Sequence, residues 1–567
     1  MRTIDWTVLI ASLVFIVVYG VWKGRKAKNL EGYFLAGRDM RWYTVALSIM
    51  ATQASAITFL STPGQAYTDG MRFIQFYLGL PIAMVVLSIT AVPIYRRLKV
   101  YTAYEYLEGR FDLKTRSLAA FLFLIQRGLA CGLTIYAPAI ILAALMGWDL
   151  RRTIIVIGVA VVIYTASGGT RAVNHTNFQQ MLIVMVGMVS AFFVILWRLP
   201  DDVGMIEAAW VAGKMGKLNA IDLSFDLTNR YNIWSGLLGG FFLALSYFGT
   251  DQSQVQRYLS GQSITQSRLA LLFNGLVKIP MQFFILFIGA MVFAFYQFTA
   301  PPLFFNAEEV RKISQSEYAE DYRELEARHA QAAAVKTEAV KELVAAMKAE
   351  NPIAVDVAET RVAAAQSTVE GIRGEASDLF VANDPGAAKT DTNYVFLTFV
   401  LAYLPAGLVG LVMAAIFAAA MSSTASELNA LSSTTIVDIY KRMIRKDASE
   451  SHYVIVSKIA TLFWGMFAIG FAMFANRLGS LIEAVNVLGS LFYGTILGIF
   501  LLAFYVKRVG ASAAFSGALV GEAAVIACFR LTEISFLWYN VVGCLVTMGA
   551  AVLMQMVWGR REVRGSG

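Results

Sequence analysis

Long apolar stretches alternate with short polar loops from one end of the chain to the other. Most stretches hold about 20 residues, the length that a helix needs to cross the hydrocarbon core of a bilayer. A membrane β-barrel would instead show segments of about ten residues with alternating hydrophobicity. The pattern therefore predicts an all-α polytopic membrane protein with about thirteen transmembrane helices. The predicted spans lie near residues 5–22, 44–66, 73–95, 117–146, 152–167, 178–198, 231–250, 268–298, 396–420, 455–475, 479–505, 511–530 and 535–558.

Residues 307–380 interrupt this pattern with a charged segment that is rich in alanine and glutamate. Apolar side chains recur there every three or four positions, which is typical of helices that pack through one face. The sequence "AENP" at 349–352 separates two such runs, so we predict an antiparallel helical hairpin outside the membrane. This insert divides the membrane core into a first part, 1–306, and a second part, 381–567. Two interpretations remain for it: a loop with no function of its own, or a surface for a partner or for self-association.

Basic residues are concentrated in every second loop between the predicted spans. The positive-inside rule then places the N-terminus and the hairpin outside and the C-terminus in the cytoplasm. The net charge of +8 fits such loops better than nucleic-acid binding, and 57% of the residues are hydrophobic. The three cysteines and three histidines are scattered, and the sequence has no nucleophile–base pair, metal cluster or phosphate-binding loop. We therefore predict that the protein is not an enzyme and binds no nucleic acid.

Two apolar spans contain residues that disfavour a continuous helix. Gly, Ser and Thr are abundant in 48–67, which also contains Pro63, and in 245–258. Irregular backbone persists at membrane depth only where protein groups or a water-lined cavity satisfy its polar atoms. Discontinuous helices at corresponding places in two halves of a membrane protein indicate a binding site near the bilayer midplane. Five helices counted from each segment give candidate inverted repeats at about 44–198 and 231–505.

The stretch "MSSTASELNALSSTTIVDIYKR" at 421–442 adds many hydroxyl groups to an otherwise apolar helix. Adjacent hydroxyls and a backbone carbonyl provide hard oxygen ligands for a cation, and an unwound helix can supply the others. Serines also occur at helix interfaces because their small size lets backbones approach closely. The pattern alone leaves both interpretations open. The residues that share one helical face are Ala419, Ser422, Ser423 and Ser426.

Several motifs together resemble the sodium/solute symporter family. The serine stretch is similar to the signature helix of that family, and "GGTRAVNHTNFQQ" at 168–180 resembles another of its elements. "TDQSQVQRYLSG" at 250–261 and "AYEYLEGRF" at 103–111 fit as well, in the same order along the chain. "IYAPAIIL" at 135–142 resembles the branch of iodide, monocarboxylate and multivitamin carriers; other features are closer to sialic-acid and sugar carriers. The resemblance implies a LeuT-like inverted repeat of five plus five helices with flanking helices.

The resemblance also implies candidate binding residues by position. The family's sodium site uses backbone carbonyls of the first broken helix and a carbonyl and hydroxyls of the serine helix, which correspond here to Ala51, Ala54, Ala419, Ser422 and Ser423. Arg127 and Lys278 are cations within apolar helices, so each either contacts a solute or has a structural partner. Glu427 is expected to form an ion pair with one of them. The predicted solute-binding residues are Ser55, Thr58, Tyr77, Arg127, Tyr247 and Lys278; packing between helices is the alternative for Ser55, Thr58 and Tyr77.

Some family members hold a second sodium ion through an aspartate in a Thr-Asp pair, but this chain has Thr176-Asn177 and a hydroxyl-free Ala425. We therefore expect a sodium-driven symporter that imports a small polar organic solute or anion by alternating access, with one Na⁺ per solute. Its partners are then the solute, Na⁺ and the lipid bilayer of a bacterial inner membrane. The alternative is a sensor that uses the same fold to bind a solute without net transport.

Overall fold

The computed structural model describes residues 2–24 and 30–565; the side chains of residues 17, 20–24, 30, 33, 164, 167–175, 178, 476 and 559–565 lie outside the described part. This part is helical and contains no β-strand; its single β-bridge joins Met40 to Gly261. The helices are α1 (Thr3–Gly24), α2 (Leu30–Leu35), α3 (Trp42–Gln53), α4 (Ala56–Asp69), α5 (Leu80–Ile89), α6 (Ala91–Leu98), α7 (Glu105–Arg110), α8 (Leu113–Met146), α9 (Leu150–Trp197), α10 (Met205–Lys214), α11 (Gly240–Gly249), α12 (Gln252–Leu259), α13 (Ile264–Phe298), α14 (Ala307–Ile313), α15 (Ala319–Lys348), α16 (Pro352–Asn383), α17 (Val395–Tyr403), α18 (Leu408–Thr434), α19 (Glu450–Ala472), α20 (Leu481–Tyr505), α21 (Ala511–Leu531) and α22 (Phe536–Gly565).

Both predicted interruptions occur at the expected places. The first lies at Ala54 and Ser55, between α3 and α4, where ψ changes to 73° and 173°. The second lies at Thr250 and Asp251, between α11 and α12, and ψ reaches 119° at Asp251. Within the described residues, nine helical segments are long and apolar enough to cross a membrane, and shorter apolar helices include Ser235–Gly249 of the second broken helix. The prediction of a polytopic helical fold with two broken helices is confirmed.

Helix α9 is continuous over 48 residues and contains two of the predicted spans. A straight helix of that length would extend about 70 Å, more than twice the hydrocarbon thickness. Both of its flanks contact the insert: Gly147 O accepts from Arg311 at 3.4 Å, and Asp202 O accepts from Lys348. The predicted spans 152–167 and 178–198 thus fall in one helix, and their crossing of the membrane in opposite directions stays a prediction. We call the side that carries the insert the hairpin side.

The insert forms the predicted hairpin, because α15 and α16 pack along each other and Pro352 begins the second helix. The periodic apolar residues are its core, and Val340, Leu343 and Val362 are at most 3% exposed. Two exposed ion pairs also join the helices: Arg328 with Glu375 at 2.8 Å and Arg361 with Glu342 at 2.7 Å. The boundaries proposed for the three segments of the chain stay a prediction.

The hairpin is also anchored to the membrane core through Arg373 on α16. Its guanidinium group donates to both carboxylate oxygens of Asp391 at 2.9 Å, and Asp391 accepts the backbone N–H of Phe305 at 2.7 Å. The neighbouring Thr392 contacts α4 so closely that a Cβ on Gly64 would stand 1.9 Å from its carbonyl oxygen. A chain of direct contacts therefore links the hairpin to the hairpin-side half of the first broken helix.

The hairpin should loosen in acid because of His329. This imidazole is 3% exposed on α15. Burial, followed by the positive charges of Arg373 and Lys336, lowers its pKa from 6.5 to about 4. The folded hairpin thus holds the imidazole neutral, and this contribution to stability is complete above pH 6.5 and is lost as the pH falls towards about 4. Hydrogen exchange of hairpin amides should accelerate over that interval in the wild type and much less in His329→Gln; equal acceleration in both proteins would contradict this assignment.

Candidate functional site

The first break exposes backbone oxygens near the middle of the chain's membrane core. The last intrahelical bond of α3 runs from Ala54 N–H to Met50 O at 2.7 Å. The carbonyls of the last turn, including those of Ala51 and Thr52, therefore lack an intrahelical donor. Ser55 begins α4 without a side-chain cap. The break thus presents carbonyl oxygens to whatever packs beside α3.

The serine face of α18 packs beside those carbonyls. The hydroxyl oxygens of Ser422 and Ser423 each lie 3.5 Å from Ala51 O, and Ser423 Oγ lies 3.3 Å from Thr52 O. These separations are long for O–H···O hydrogen bonds, whose distances are about 2.7–2.8 Å. They match adjacent ligands of a hard cation bound at roughly 2.4 Å, whose oxygens stand about 3.4 Å apart. The oxygens are therefore spaced as the ligands of one shared hard cation would be.

The structure brings three of the five predicted sodium ligands into direct proximity, namely Ala51, Ser422 and Ser423. The other two are buried in suitable places: Ala54 lies in the break itself, and Ala419 lies one turn before the two serines. Their roles as ligands stay predictions.

Asn177 of α9 lies beside the serine face of α18. Its Oδ1 accepts from Ser422 Oγ at 2.6 Å, and its Nδ2 donates to Ser48 Oγ at 2.9 Å. Both ends of the amide are therefore engaged by protein groups. Because the Ser422 proton points towards Asn177, the lone pairs of the Ser422 oxygen remain available on the side of Ala51.

A cavity of about 90 Å³ lies between the two broken helices. Five of the six predicted solute-binding residues line it. They are Ser55, Thr58, Tyr77 and Tyr247, whose side chains carry hydroxyls, and the cationic Arg127. Lys278 is not among the lining residues, and its Nζ lies 5.6 Å from the centre of the ring of Tyr77, which does line the cavity. Other lining residues, which the sequence did not single out, are Thr52, Gln53, Phe76, Leu80, Gln126, Thr134, Gly240, Leu243, Ala244, Phe248, Ile482, Val485, Asn486 and Tyr493.

Arg127 is the centre of a buried ion cluster at one wall of the cavity. Its Nη1 donates to Glu427 at 3.0 Å, and its Nη2 donates to Tyr493 Oη at 2.5 Å and forms an ion pair with Asp251. The second oxygen of Glu427 accepts from Thr134 at 2.8 Å. The expected ion pair of Glu427 with a buried cation is confirmed. The cluster joins α8, α18, α20 and the second break.

The ion cluster also shows what sequence reasoning missed. Asp251 carried a detectable signal, because it is an acidic residue at the interruption of an apolar span, where an ionisable side chain is by default functional. Tyr493 carried none, since a tyrosine in an apolar helix looks like ordinary packing. Arg127 is 124 residues from Asp251 and 300 from Glu427, and no local pattern connects such distant positions.

Taken together, the two broken helices and the site between them define a helical membrane protein with the LeuT-like inverted repeat. The fold matches that of a Na⁺-coupled sialic acid symporter solved in a substrate-bound outward-open state, with a TM-score of 0.75, 24% identity and 98% of each chain covered. A sequence profile of the sodium:solute symporter family matches residues 33–317 and 369–521, and the chain belongs to that family. Residues 318–368, which separate the two matched stretches, fall within the hairpin.

Three relatives show how far the likeness extends. A sodium/sialic acid symporter of Proteus mirabilis is 26% identical over 561 residues, which cover 97% of this chain and 94% of that protein. A putative sodium-dependent multivitamin transporter of Drosophila melanogaster is 27% identical over 527 residues, covering 92% and 73%. The sodium/iodide cotransporter of Homo sapiens is 31% identical over 296 residues, or 52% of this chain. Relatives named for different solutes are thus about equally similar to this chain.

Proposed function

We propose that the protein is a sodium-driven symporter that imports a small polar solute by alternating access, with one Na⁺ per solute. The observation that carries this proposal is the spacing of 3.5 Å between the Ala51 carbonyl and the hydroxyls of Ser422 and Ser423. The names of the relatives support the proposal, because they describe sodium-coupled transporters. The relatives' names favour transport over the sensor alternative.

A single ion is favoured by the surroundings of Asn177. Its amide carries no charge and is already bonded to Ser422 and Ser48. Ala425, which is fully buried on the serine helix, offers no side-chain oxygen. A cation that loses its water shell needs close compensation by charge or by several oxygens. The proposed ligands are therefore those of the first site alone: Ala51, Ala54, Ala419, Ser422 and Ser423.

The solute is proposed to be held by hydrogen bonds in the central cavity. Arg127 already faces two carboxylates, so a solute carboxylate would have to displace Glu427 or Asp251. In contrast, Gln53 and Gln126 line the cavity and each has a buried side-chain oxygen without a hydrogen-bond partner. Hydroxyl or amide donors of an uncharged solute would satisfy them. Among the predicted solute-binding residues, Ser55, Thr58, Tyr77 and Tyr247 supply further hydroxyls.

Alternating access needs closures that can open on each side of the cavity, and hydrogen-bonded contacts suit that role. On the hairpin side, Ser480, the residue just before α20, contacts Ser61 at 3.3 Å and donates to Gln65 at 2.8 Å, joining the start of α20 to α4. On the opposite side, Arg116 donates to Asp438 at 2.8 Å and thereby holds α8 against the extension of α18. We propose that transport alternates between release of one closure and release of the other.

The orientation proposed for the protein has the hairpin side outside and the C-terminus in the cytoplasm of a bacterial inner membrane. It rests on the distribution of basic loops. A hairpin outside the membrane would also offer a surface for binding a partner or a second copy of the chain. Its packing against the membrane core does not require such a role, because Arg373 already anchors it to Asp391.

The test begins with a solute screen by thermal stability in NaCl and in KCl, followed by uptake of the selected solute into proteoliposomes. Uptake should require Na⁺ and rise hyperbolically with its concentration, with a Hill coefficient of about one, because that coefficient cannot exceed the number of coupled sites. Asn177→Ala should keep this coefficient and leave the sodium dependence largely intact. A coefficient clearly above one that Asn177→Ala reduces would establish a second sodium site and contradict the proposal.

A further inference from the structure

Lys278 is a fully buried cation for which the described protein supplies no partner. Its side chain is 0% exposed on α13, and Nζ has no hydrogen-bond acceptor among the described residues. No described carboxylate forms an ion pair with it. Its Nζ faces the ring of Tyr77, whose centre is 5.6 Å away. A tyrosine face attracts a cation, but by only about 0.5–2 kcal/mol, which is far less than burial of an ammonium group costs.

Two amides flank Lys278 on the same helical face. Asn274 and Gln282 lie one turn before it and one turn after it, at spacings that bring side chains together on a helix surface. Each is 0% exposed, and both polar atoms of each side chain lack a hydrogen-bond partner. Three successive turns of one helix therefore bury an ammonium group and two amides whose hydrogen-bonding capacity nothing in the described protein uses.

The chemistry of this set of residues points to an anion. Buried polar groups are almost always hydrogen-bonded, and buried charges are paired. Water molecules could satisfy the two amides, but they cannot neutralise an ammonium group. An anion would neutralise it and would also accept N–H donors from the neighbouring turns. We propose that Lys278, together with the side-chain amides of Asn274 and Gln282, binds a small inorganic anion such as chloride.

This site is separate from the proposed solute cavity. Lys278, Asn274 and Gln282 are all absent from the residues that line that cavity, whereas Tyr77, whose ring faces the Lys278 ammonium group, is one of them. Helix α13 also packs against α3 and α4, the two halves of the first broken helix. A bound anion would therefore stabilise the wall of the cavity and the helix break without contacting the solute.

The experiment uses the full-length purified protein without solute, at fixed sodium concentration and ionic strength, with chloride replaced stepwise by gluconate. Chloride should raise the melting temperature in a saturable manner. Lys278→Met should weaken the apparent chloride affinity by about tenfold or more, as expected when the charged partner of an anion is removed. Lys341→Met, which removes an exposed lysine of the hairpin, is the matched control and should keep the wild-type response.

Further variants and a second anion complete the experiment. If Lys278→Met does not fold, Asn274→Leu and Gln282→Leu replace it, and at least one should weaken the chloride response. Equal melting temperatures in chloride and gluconate would overturn the proposal, as would a chloride response that persists in all three variants. A parallel titration with lactate identifies the kind of anion. If lactate but not chloride stabilises the wild type, and this stabilisation is lost in Lys278→Met, the site binds an organic carboxylate and the chloride proposal is wrong. Because the sodium concentration is constant throughout, a negative result would contradict only the anion site and would not bear on the proposed sodium-driven transport.

Discussion

Ser423→Ala is expected to abolish sodium-dependent uptake while the protein remains folded and inserted. The change removes one hydroxyl that lies within 3.5 Å of two backbone oxygens at the first break. An ion with only about five or six ligands binds at least roughly tenfold more weakly when one is lost. Sodium should then no longer stabilise the purified variant at concentrations that saturate the wild type. The measurement is the melting temperature as a function of sodium concentration, combined with uptake.

Ser433→Ala is the matched control for this result. Ser433 is also fully buried on α18, but its hydroxyl donates to Ala430 O at 3.0 Å within its own helix and lies beyond the site. It should retain the wild-type response to sodium. If Ser423→Ala responds to sodium like the control, the ion is not bound by the serine face, and the proposed ligand set is wrong.

Arg127→Met should be the most destabilising single change in the cavity. It would leave Glu427 and Asp251 buried without their common cation, and breaking such a pair costs about 3–5 kcal/mol. The melting temperature should fall strongly, and addition of Glu427→Gln should recover part of the loss because one uncompensated charge is removed. Removal of an exposed arginine, as in Arg323→Met on the hairpin, should cost at most about 1 kcal/mol.

The alternative role of Arg127 gives a different result in the same experiment. If this arginine contacts the solute directly, as the sequence predicted, Arg127→Met should melt close to the wild type and mainly raise the apparent solute constant. That outcome would also remove the argument that the solute is uncharged.

The helices and their interruptions were predictable because they depend on local chemistry. Gly, Ser and Thr around Ala54 and around Thr250 weaken a helix wherever it is placed, and only a polar site tolerates the result at membrane depth. The hairpin was predictable for the same reason: its apolar residues follow helical periodicity, and Pro352 favours the start of a helix. Neither inference required knowledge of distant contacts.

The cavity was only partly predictable because its contacts join distant parts of the chain. The serine face indicated possible cation ligands, but only the resemblance to a family distinguished them from packing residues. The partners of Arg127 depend on how α8, α18 and α20 cross, which no local pattern specifies. Lys278 illustrates the opposite case: the sequence indicated an important buried cation, while its position outside the cavity lining and beside the Tyr77 ring required the fold.

The anchoring of the hairpin affects how a variant that lacks it would be interpreted. Arg373 and Asp391 connect it to the segment that packs on Gly64 of the first broken helix. Loss of the hairpin would therefore disturb that helix even if the insert has no binding function of its own. Point changes at its exposed surface are better tests of a docking role than deletion.

The most direct test of the central claim is simultaneous measurement of radioactive sodium and solute entry into proteoliposomes that contain the purified protein. The account predicts that an inward sodium gradient drives both, in a ratio of about one, and that the solute accumulates above its external concentration until the gradient is dissipated. Solute uptake that is unchanged when potassium replaces sodium would contradict the account, as would binding of solute without any movement across the membrane.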